Sequence, residues 1–457
     1  MTKRALPVVL VLCLMAAACG TRVTEETSAT ATSLVQRSTA AGATGTDSSA
    51  AAPGDSTATT LAASGATTGG AAATGGTGSS GTTGGAASAT TGGVTAQASG
   101  APIVLGAVGT KSGIVGAALE GGFRGLTVWE KWVNAHGGVQ GRPVKVIQVD
   151  DGGDPGKHAA AVRQLIREDG VVAFIGNIAP FTFSAGAPIL EAANVPSIGS
   201  DNADAAEFTS PLSFPINGQT ISRSRPAAKW VLAHLPQRKA AVFYVSEAAA
   251  PAQLGLNFID EWKKGGGQVV VQAGVSIATP DFTSEIVQAQ SSGADLVYIV
   301  LEKAACNRFF DAAVRQGYSP VIVAPACTID NALGHKALAT NRLYSAGAAK
   351  SAFSPDSPAQ AEAIAAGQRF DPTLSLDGAF MFGWLAGKLF EAAMAQPGAV
   401  LTSKGIIDAL HRLPPTNLGG LTPTESWPPG PHPEGRCGLV SKFDGTRFVL
   451  ETPDFIC

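Results

Sequence analysis

From about residue 101 to the end of the chain, short apolar runs alternate with segments of helical periodicity, and this alternation constrains the fold more than any other feature. IVLGAVG (103–109), VKVIQVD (144–150) and VVAFIG (171–176) are typical of buried strands, and a segment with helical spacing of apolar residues follows each of them. Strands that alternate with helices form a parallel sheet covered on both faces. We therefore predict an α/β fold for this part of the chain.

The same alternation begins again at KAAVFYVS (239–246) and continues through ADLVYIVL (294–301) and PVIVAP (320–325). Two doubly wound units in one chain imply a cleft between them, and open α/β sheets bind ligands beyond the carboxyl ends of their strands. Side chains in the loops that follow strands are therefore candidate ligand-binding residues. On this ground we select Ser112, Glu247, Glu302 and Thr328.

The N-terminal residues predict export. MTKR is basic, ALPVVLVLCLM is apolar but too short to span a bilayer, and the small residues AAA precede Cys19. We interpret residues 1–18 as a signal peptide and Cys19 as a lipidated N-terminus, because a cysteine directly after small residues resembles the bacterial lipobox. Secretion with cleavage near Cys19 but without lipidation is the alternative. A lipidated Cys19 would anchor the protein, outside the cytoplasm, to the outer face of the cell membrane.

Residues 19–100 consist almost entirely of Ala, Gly, Ser and Thr, as in GATTGGAAATGGTGSSGTTGG. Such a segment cannot bury enough apolar surface to offset the loss of backbone entropy, so we predict that it is disordered. A flexible chain of this length has an r.m.s. extension of roughly 50 Å. The segment fits a tether between the lipid anchor and the folded part.

Charge and residue usage argue against several classes of function. A formal net charge of -3 argues against a nucleic-acid partner, which would need clustered Lys and Arg. Asp150 and Asp151 could do acid–base work, but GGDP follows them, and a turn that starts a helix explains them better. The histidines are scattered, and no Cys/His spacing is that of a metal site. We expect no cofactor, no metal and no enzymatic activity.

The cysteines predict disulfides. Once Cys13 leaves with the signal peptide and Cys19 is lipidated, four cysteines remain, and an even number in an exported protein favours pairing, with three pairings open. One pairing joins the start of a helix to the loop after the next strand and closes a loop of about 20 residues, which contributes about 3 kcal/mol. We favour this pairing, which is Cys306–Cys327 together with Cys437–Cys457.

The first strand, loop and helix of the folded part resemble the leucine/isoleucine/valine-binding protein family of ABC-transporter receptors. The similar stretch is IVLGAVGTKSGIVGAALEGGFRGLTVWEKWVNAHGGVQGRPVKVIQVDDGGDP, with an SG loop, a helix that ends at GGVQG and a strand that ends in Asp. AAAVRQLI, AFIG, PDFTSEIVQAQSSGADLVYIV and a final DGTRFVL follow in the family's order. The resemblance covers essentially all of residues 101–457.

The resemblance implies the type I periplasmic binding protein fold, in which two Rossmann-like, doubly wound lobes are joined by three crossing segments and close over a ligand by a hinge motion. Transferred to this sequence, the crossings lie near Ile216, Ala346 and Leu421. The division that follows is lobe 1, residues 101–216 and 347–421, and lobe 2, residues 217–346 and 422–457.

In the family, two loops after lobe 1 strands hold the carboxylate and ammonium of the ligand through hydroxyls and backbone groups. The equivalent loops are GNIAPFTFS (176–184) and GSDNAD (199–204), and backbone N–H groups at a helix start suit an anion. We expect the Phe181 ring to form an apolar wall. The resemblance therefore implies a second set of ligand-binding candidates, which is Asn177, Ala179, Phe181, Thr182, Ser200, Asp201 and Asn202.

These loops depart from the amino-acid binders of the family. Ala179 and Pro180 stand where those proteins have serine hydroxyls, and Ala326 stands where they have a carboxylate for the ligand ammonium. An ammonium without that carboxylate would be poorly paired in a closed cleft, at a cost of several kcal/mol. Glu302 or Asp201 could replace the carboxylate. We expect a ligand other than a standard branched-chain amino acid.

The sequence as a whole predicts a monomeric, membrane-tethered receptor. It would capture a small polar solute, either amino-acid-like or an amide or carboxylate, and deliver it to the permease subunits of an ABC importer. The alternative is an envelope lipoprotein of the same fold that reports its ligand to a partner protein without transport. An enzyme is the least favoured class, because no nucleophile and base can be assembled from the residues.

Overall fold

A computed structural model describes residues 98–113, 116–247, 249–350, 356–374, 378–432 and 435–457 of the 457-residue chain. The expected signal peptide, the lipidation site Cys19 and the tether up to residue 97 lie outside the described residues. Within the described ranges, no helix combines the length and the apolar character needed to cross a membrane.

The first sheet is built from consecutive strands and is parallel throughout. Its strands are β1 (Ile103–Gly109), β2 (Val144–Asp150), β3 (Ala173–Asn177), β4 (Ser197–Ser200) and β5 (Ser213–Phe214). They pair in the order β2-β1-β3-β4-β5, and β1 and β2 run side by side from Ile103 opposite Val144 to Gly109 opposite Asp150. Every residue of β3, β4 and β5 is buried, because helices cover both faces of the sheet.

Each crossover between these strands carries a helix. These are α1 (Gly116–Ala135), α2 (Pro155–Arg167), α3 (Phe183–Ala193) and the short α4 (Ala206–Thr209). The start of α2 shows why the sequence turns into a helix at this point. The Asp154 side chain accepts hydrogen bonds from the backbone N–H groups of Gly156 (2.7 Å) and Lys157 (3.0 Å), and Pro155 occupies the first turn, where its missing N–H is not needed.

The second sheet mixes parallel and antiparallel pairs. Its strands are β6 (Lys239–Val245), β7 (Gln268–Val275), β8 (Leu296–Val300), β9 (Val321–Val323), β10 (Leu343–Gly347), β11 (Leu439–Phe443) and β12 (Phe448–Leu450). The order is β12-β11-β10-β9-β8-β6-β7, with parallel pairs from β7 to β10 and antiparallel pairs from β10 to β12. The last strands of the chain therefore complete this sheet as a hairpin at its edge.

The helices of the second sheet come from the same stretch of chain as its parallel strands. After a 3-10 turn at Thr220–Ser222 they are α5 (Ser224–His234), α6 (Ala249–Lys264), α7 (Thr283–Ser291), α8 (Lys303–Arg315), α9 (Ile329–Gly334) and α10 (Lys336–Ala339). Trp230, Phe258 and Trp262 lie on one side of the sheet, and Phe282 and Phe309 lie on the other. Both faces of the sheet are thus covered.

The remaining helices return to the first sheet. They are α11 (Pro358–Phe370), α12 (Gly378–Met394) and α13 (Ser403–Arg412). α12 packs tightly on α1, because a Cβ atom at Gly383 would lie 2.2 Å from the Gly122 carbonyl oxygen and one at Gly387 would lie 2.1 Å from the Trp129 ring. The Trp129 indole N–H also donates to the Glu391 carboxylate (2.6 Å). Only glycine permits this close approach.

The chain passes between the two sheets after β5, after β10 and after α13. The boundaries assigned to the two lobes from the sequence remain a prediction. Two disulfides lie on the side of the second sheet. Cys306, in α8, is bonded to Cys327, which follows β9, and Cys437, which precedes β11, is bonded to Cys457. These are the pairs that the sequence favoured.

Candidate functional site

The loops after the strands of the first sheet meet at one edge, because parallel strands end on the same side. Asn177 ends β3 at this edge and is fully buried. Its side-chain oxygen accepts a hydrogen bond from the backbone N–H of Val108 (2.9 Å), and its amide nitrogen donates to the Ser197 hydroxyl (3.2 Å). Asn177 thus joins three neighbouring strands and fixes the point from which the next loop departs.

A buried network that centres on Asp151 supports the loop from Ile178 to Thr182. One carboxylate oxygen accepts from the Thr110 hydroxyl (2.8 Å), and the other accepts from the Thr182 hydroxyl (2.6 Å) and lies 2.9 Å from Nδ1 of His158. Burial alone would raise the pKa of Asp151, but the hydrogen bonds from His158 and Thr182 hold it below its usual value. The Thr182 hydroxyl therefore faces inward and orders the loop.

The backbone N–H groups at the start of α3 are bonded within the protein. The N–H groups of Thr182 and Phe183 donate to the Ala179 carbonyl oxygen, at 3.3 and 3.2 Å, and that of Ser184 donates to the Asp204 carboxylate at 2.9 Å. The N–H of Ala179 donates to the carboxylate of Asp201 at 3.1 Å. These groups are thus already paired, although a helix start is suited to an anion.

The second candidate loop, GSDNAD (199–204), and the helix α4 after it each carry one buried acidic group. The Ser200 hydroxyl lies 2.7 Å from the Glu207 carboxylate and 2.9 Å from the Asn202 side-chain oxygen. Asn202 has a left-handed backbone (φ 56°), and its side-chain nitrogen bonds the Ile216 carbonyl oxygen. Burial raises the pKa of Asp201 to about 7, and burial together with the nearby Asp201 raises the pKa of Glu207 well above its usual value.

Two of the candidates at this edge face outward. Phe181 keeps 43% of its surface exposed, whereas Ile178, Ala179 and Thr182 of the same loop are buried. Ser112 is exposed too, and its backbone N–H lies 3.2 Å from the Asp150 carboxylate. Burial acts to raise the pKa of Asp150, but hydrogen bonds from Ser112, Gly152 and Lys111 outweigh this effect and lower the pKa to about 2.

The candidates on the second sheet stabilise loops and helix starts. Glu302 caps α8: its carboxylate accepts from the N–H groups of Ala304 and Ala305, both at 2.6 Å, and lies 3.7 Å from Arg308. Thr328 caps α9. Glu247 is exposed and accepts from the Ile277 N–H (3.1 Å), and its pKa is lowered by hydrogen bonds, that of the Ser276 hydroxyl first.

The structure thus brings together the candidates on the first sheet, around Asp151 and Asp201, and places Glu247, Glu302 and Thr328 on loops of the second sheet. The segment that leads from the first sheet to the second is bonded to the loop of Asp201 and Asn202. Thr220 lies just after the first passage between the sheets. Its N–H donates to the Asn202 carbonyl oxygen (2.8 Å), and its hydroxyl donates to the Asp201 carbonyl oxygen. Sequence reasoning missed Thr220, because only the folded chain brings it to this loop.

A cavity of about 270 Å³ lies beside the first and third passages between the sheets. Trp427, His432 and Gly435, which come from a proline-rich stretch of the chain, form part of its wall. Glu425 is held there by the Asn217 backbone N–H (3.0 Å). Among the described residues, no group of His, Cys, Asp and Glu side chains could hold a metal ion.

A model of the family described as "periplasmic binding protein" matches residues 102–440, which is most of the folded part. The chain belongs to this family. Its mixed α/β architecture with parallel sheets is that of the type I periplasmic binding proteins. The family and the fold class expected from the sequence are therefore confirmed.

Relatives and solved structures differ in what they bind. The "Leu/Ile/Val-binding protein" of Escherichia coli (strain K12) is 29% identical over 204 residues, which are 43% of this chain and 53% of that protein. A fatty acid ABC transporter substrate-binding protein from Thermomonospora curvata superposes with a TM-score of 0.64 at 18% identity, over 77% of this chain and 92% of that one.

A solute-binding protein of R. palustris in complex with benzoate superposes with a TM-score of 0.62 at 18% identity, over 77% of this chain and 96% of that one. At such identities the structural likeness shows the fold alone. The chain matches only about half the length of its curated relatives in sequence. The ligand therefore has to be argued from the residues of this chain.

Proposed function

We propose that the chain is an extracytoplasmic solute-binding lipoprotein of an ABC importer, which captures a small polar ligand between two lobes that close on it. Membership of the periplasmic binding protein family over residues 102–440 is the observation that carries this proposal. Closure excludes water from the ligand and strengthens its polar contacts. Transfer to permease subunits and anchoring through Cys19 belong to the same proposal.

The loops at the carboxyl edge of the first sheet form one wall of the ligand site. Asp151 and Asn177 fix these loops through hydrogen bonds inside the protein, so that a ligand meets a surface that is already ordered. Phe181 and Ser112 are exposed at this edge and provide an apolar and a polar contact. Asp201 and Asn202 lie next to Thr220, where the chain enters the second lobe.

The proposed function is non-catalytic. His158, the histidine nearest to the candidate loops, is fully buried, and its Nδ1 is engaged by Asp151. A general base has to reach the proton that it removes, and a buried ring in this position supports the loop instead. The relatives described above are likewise named as binding proteins.

The full-length protein is to be tested by calorimetry and small-angle scattering against branched-chain amino acids, amides, fatty acids and benzoate. We expect at least one of these solutes to bind and to reduce the radius of gyration, because closure brings the lobes together. A ligand at about 100 times its Kd should also add about 2.7 kcal/mol to the unfolding free energy.

The Thr182→Val variant, tested with the same solutes, makes the loop from Ile178 to Thr182 less ordered. This change removes a buried hydrogen bond to Asp151 at nearly constant volume. We expect weaker binding and the same closure at saturation. A protein that binds solutes but never closes, or that binds none of them, would contradict the proposed function.

A further inference from the structure

Arg223 lies where the second lobe begins, close to the candidate loop of the first. It follows the 3-10 turn and directly precedes α5, three residues beyond Thr220. Thr220 is hydrogen-bonded to the backbone of Asp201 and Asn202, so the segment that carries Arg223 is fixed against this loop. The Asn257 side chain, in α6, also fixes this segment by donating to the Ile221 carbonyl oxygen (2.7 Å).

The guanidinium of Arg223 lacks a counterion within the described part of the chain. Its Nε atom is buried without a hydrogen-bond partner, although the residue as a whole is only half-buried. Burial lowers the pKa of Arg223, the Tyr298 phenol acts against this, and no carboxylate contributes. A cation that is surrounded by protein and still reached by solvent lies in a recess. A cation that is left unpaired in such a place destabilises the fold.

Arg225, in the same segment, differs from Arg223 because its guanidinium has partners within the protein. Its guanidinium donates to the Asn257 side-chain oxygen (2.8 Å) and lies 3.9 Å from the Glu261 carboxylate. The two arginines are therefore two residues apart but differ in their pairing. Arg225 holds the structure together, whereas Arg223 is available to an external anion.

The acidic groups at the site are in the opposite situation. Glu302 accepts two backbone hydrogen bonds at the start of α8, and Glu247 accepts that of Ile277. Asp201 is buried and bonded to the Ala179 N–H, and burial raises its pKa to about 7. A ligand ammonium would share these carboxylates with the backbone groups that they already bond, and it would also lie near an unpaired guanidinium.

We propose that Arg223 binds the anionic group of the solute, and that the solute is a monocarboxylate without an ammonium group. This inference rests on the proposed function and specifies its ligand class. A guanidinium binds a carboxylate through two parallel hydrogen bonds, which suits a single unpaired arginine. The exposed ring of Phe181 supplies apolar surface for the remainder of the solute.

The test compares leucine with 4-methylpentanoate, its analogue without the ammonium group, and with the uncharged 4-methylpentanamide. Calorimetry on the full chain should show that 4-methylpentanoate binds at least roughly tenfold more tightly than leucine and than the amide. The Arg223→Gln variant should lose roughly 30-fold or more in affinity for the carboxylate, and Arg223→Lys should recover part of it. Arg225→Gln is the control for general damage, and a circular dichroism spectrum checks that each variant is folded.

Each outcome decides between the two proposals. Leucine or the amide binding as tightly as 4-methylpentanoate in the unaltered protein would overturn the inference and leave the solute-binding function in place. Equal affinity of Arg223→Gln and the unaltered protein for the carboxylate would do the same. Arg225→Gln weakening the carboxylate as much as Arg223→Gln would also overturn it. If none of the three solutes binds, the inference fails, and the solute-binding function fails with it only if fatty acids and benzoate do not bind either.

Discussion

Glu425 is a half-buried acidic residue whose ionisation we expect to make the stability of this fold depend on pH. It lies beside the cavity at the first and third passages, accepts a hydrogen bond from the Asn217 N–H, and burial raises its pKa from 4.5 to about 7. An acid whose pKa is raised by folding leaves stability unchanged at low pH. It destabilises the fold increasingly as pH rises from the unfolded to the folded pKa.

We predict that Glu425→Gln raises the unfolding free energy by about 3 kcal/mol at pH 8 and leaves it nearly unchanged at pH 4, because glutamine keeps the acceptor and removes the buried charge. Denaturant unfolding at pH 4, 6 and 8 measures the difference. Glu168→Gln, at an exposed position, is the control. A gain that does not vary with pH would show that the charge of Glu425 is not its cause.

At the level of residues, local patterns predicted the turn bonds of Asp150 and Asp151 but not their long-range contacts. Asp150 accepts from the Gly152 N–H and Asp151 from the Gly153 N–H, as the GGDP sequence suggests. Asp151 also bonds Thr110 and Thr182, 41 and 31 residues away, and these contacts form only in the folded chain. Arg223 escaped notice for the same reason, because the absence of a partner is visible only once the chain is folded.

Single elements were predictable where their pattern is local. The strand at residues 144–150 and the helix that starts at Pro155 form as expected, because apolar alternation, a capping Asp and a first-turn Pro act within a few residues. The hairpin of β11 and β12 was not predicted as antiparallel. Its turn at residues 444–447 is local, but its placement beside β10 is not, because β10 lies nearly 100 residues earlier in the chain.

The start of α8 allows a test at this scale of what Glu302 does. Glu302 accepts two N–H groups that would otherwise have no partner in the helix. We predict that Glu302→Ala lowers the unfolding free energy by about 1 kcal/mol and that Glu302→Asp, which preserves a capping carboxylate, loses less. Denaturant unfolding measures both. Unchanged stability together with weaker solute binding would assign the carboxylate to the ligand instead.

The whole molecule follows from the repetition of one α/β unit. Each sheet buries its apolar strands beneath helices, and the three passages of the chain join the two sheets at several points of the sequence, not at one. The restart of the strand–helix pattern at residue 239 was sufficient to predict two units. The return of α11, α12 and α13 to the first sheet was implied by the family resemblance, because their apolar periodicity does not specify which sheet they cover.

The final prediction concerns how the whole protein is held at the cell surface. If Cys19 carries the anchor, Cys19→Ala should move most of the protein from the membrane fraction to the soluble extracytoplasmic fraction, because each buried CH₂ of a lipid chain contributes about 0.8 kcal/mol to membrane binding. Cys13→Ala is the matched control, since Cys13 lies in the proposed signal peptide. Fractionation measures how much of the protein stays on the membrane, and the mass of the N-terminal peptide shows whether Cys19 carries a lipid. A Cys19→Ala protein that stays on membranes, or a mature N-terminus without added lipid mass, would favour plain secretion and would leave the roughly 80-residue tether without an anchor.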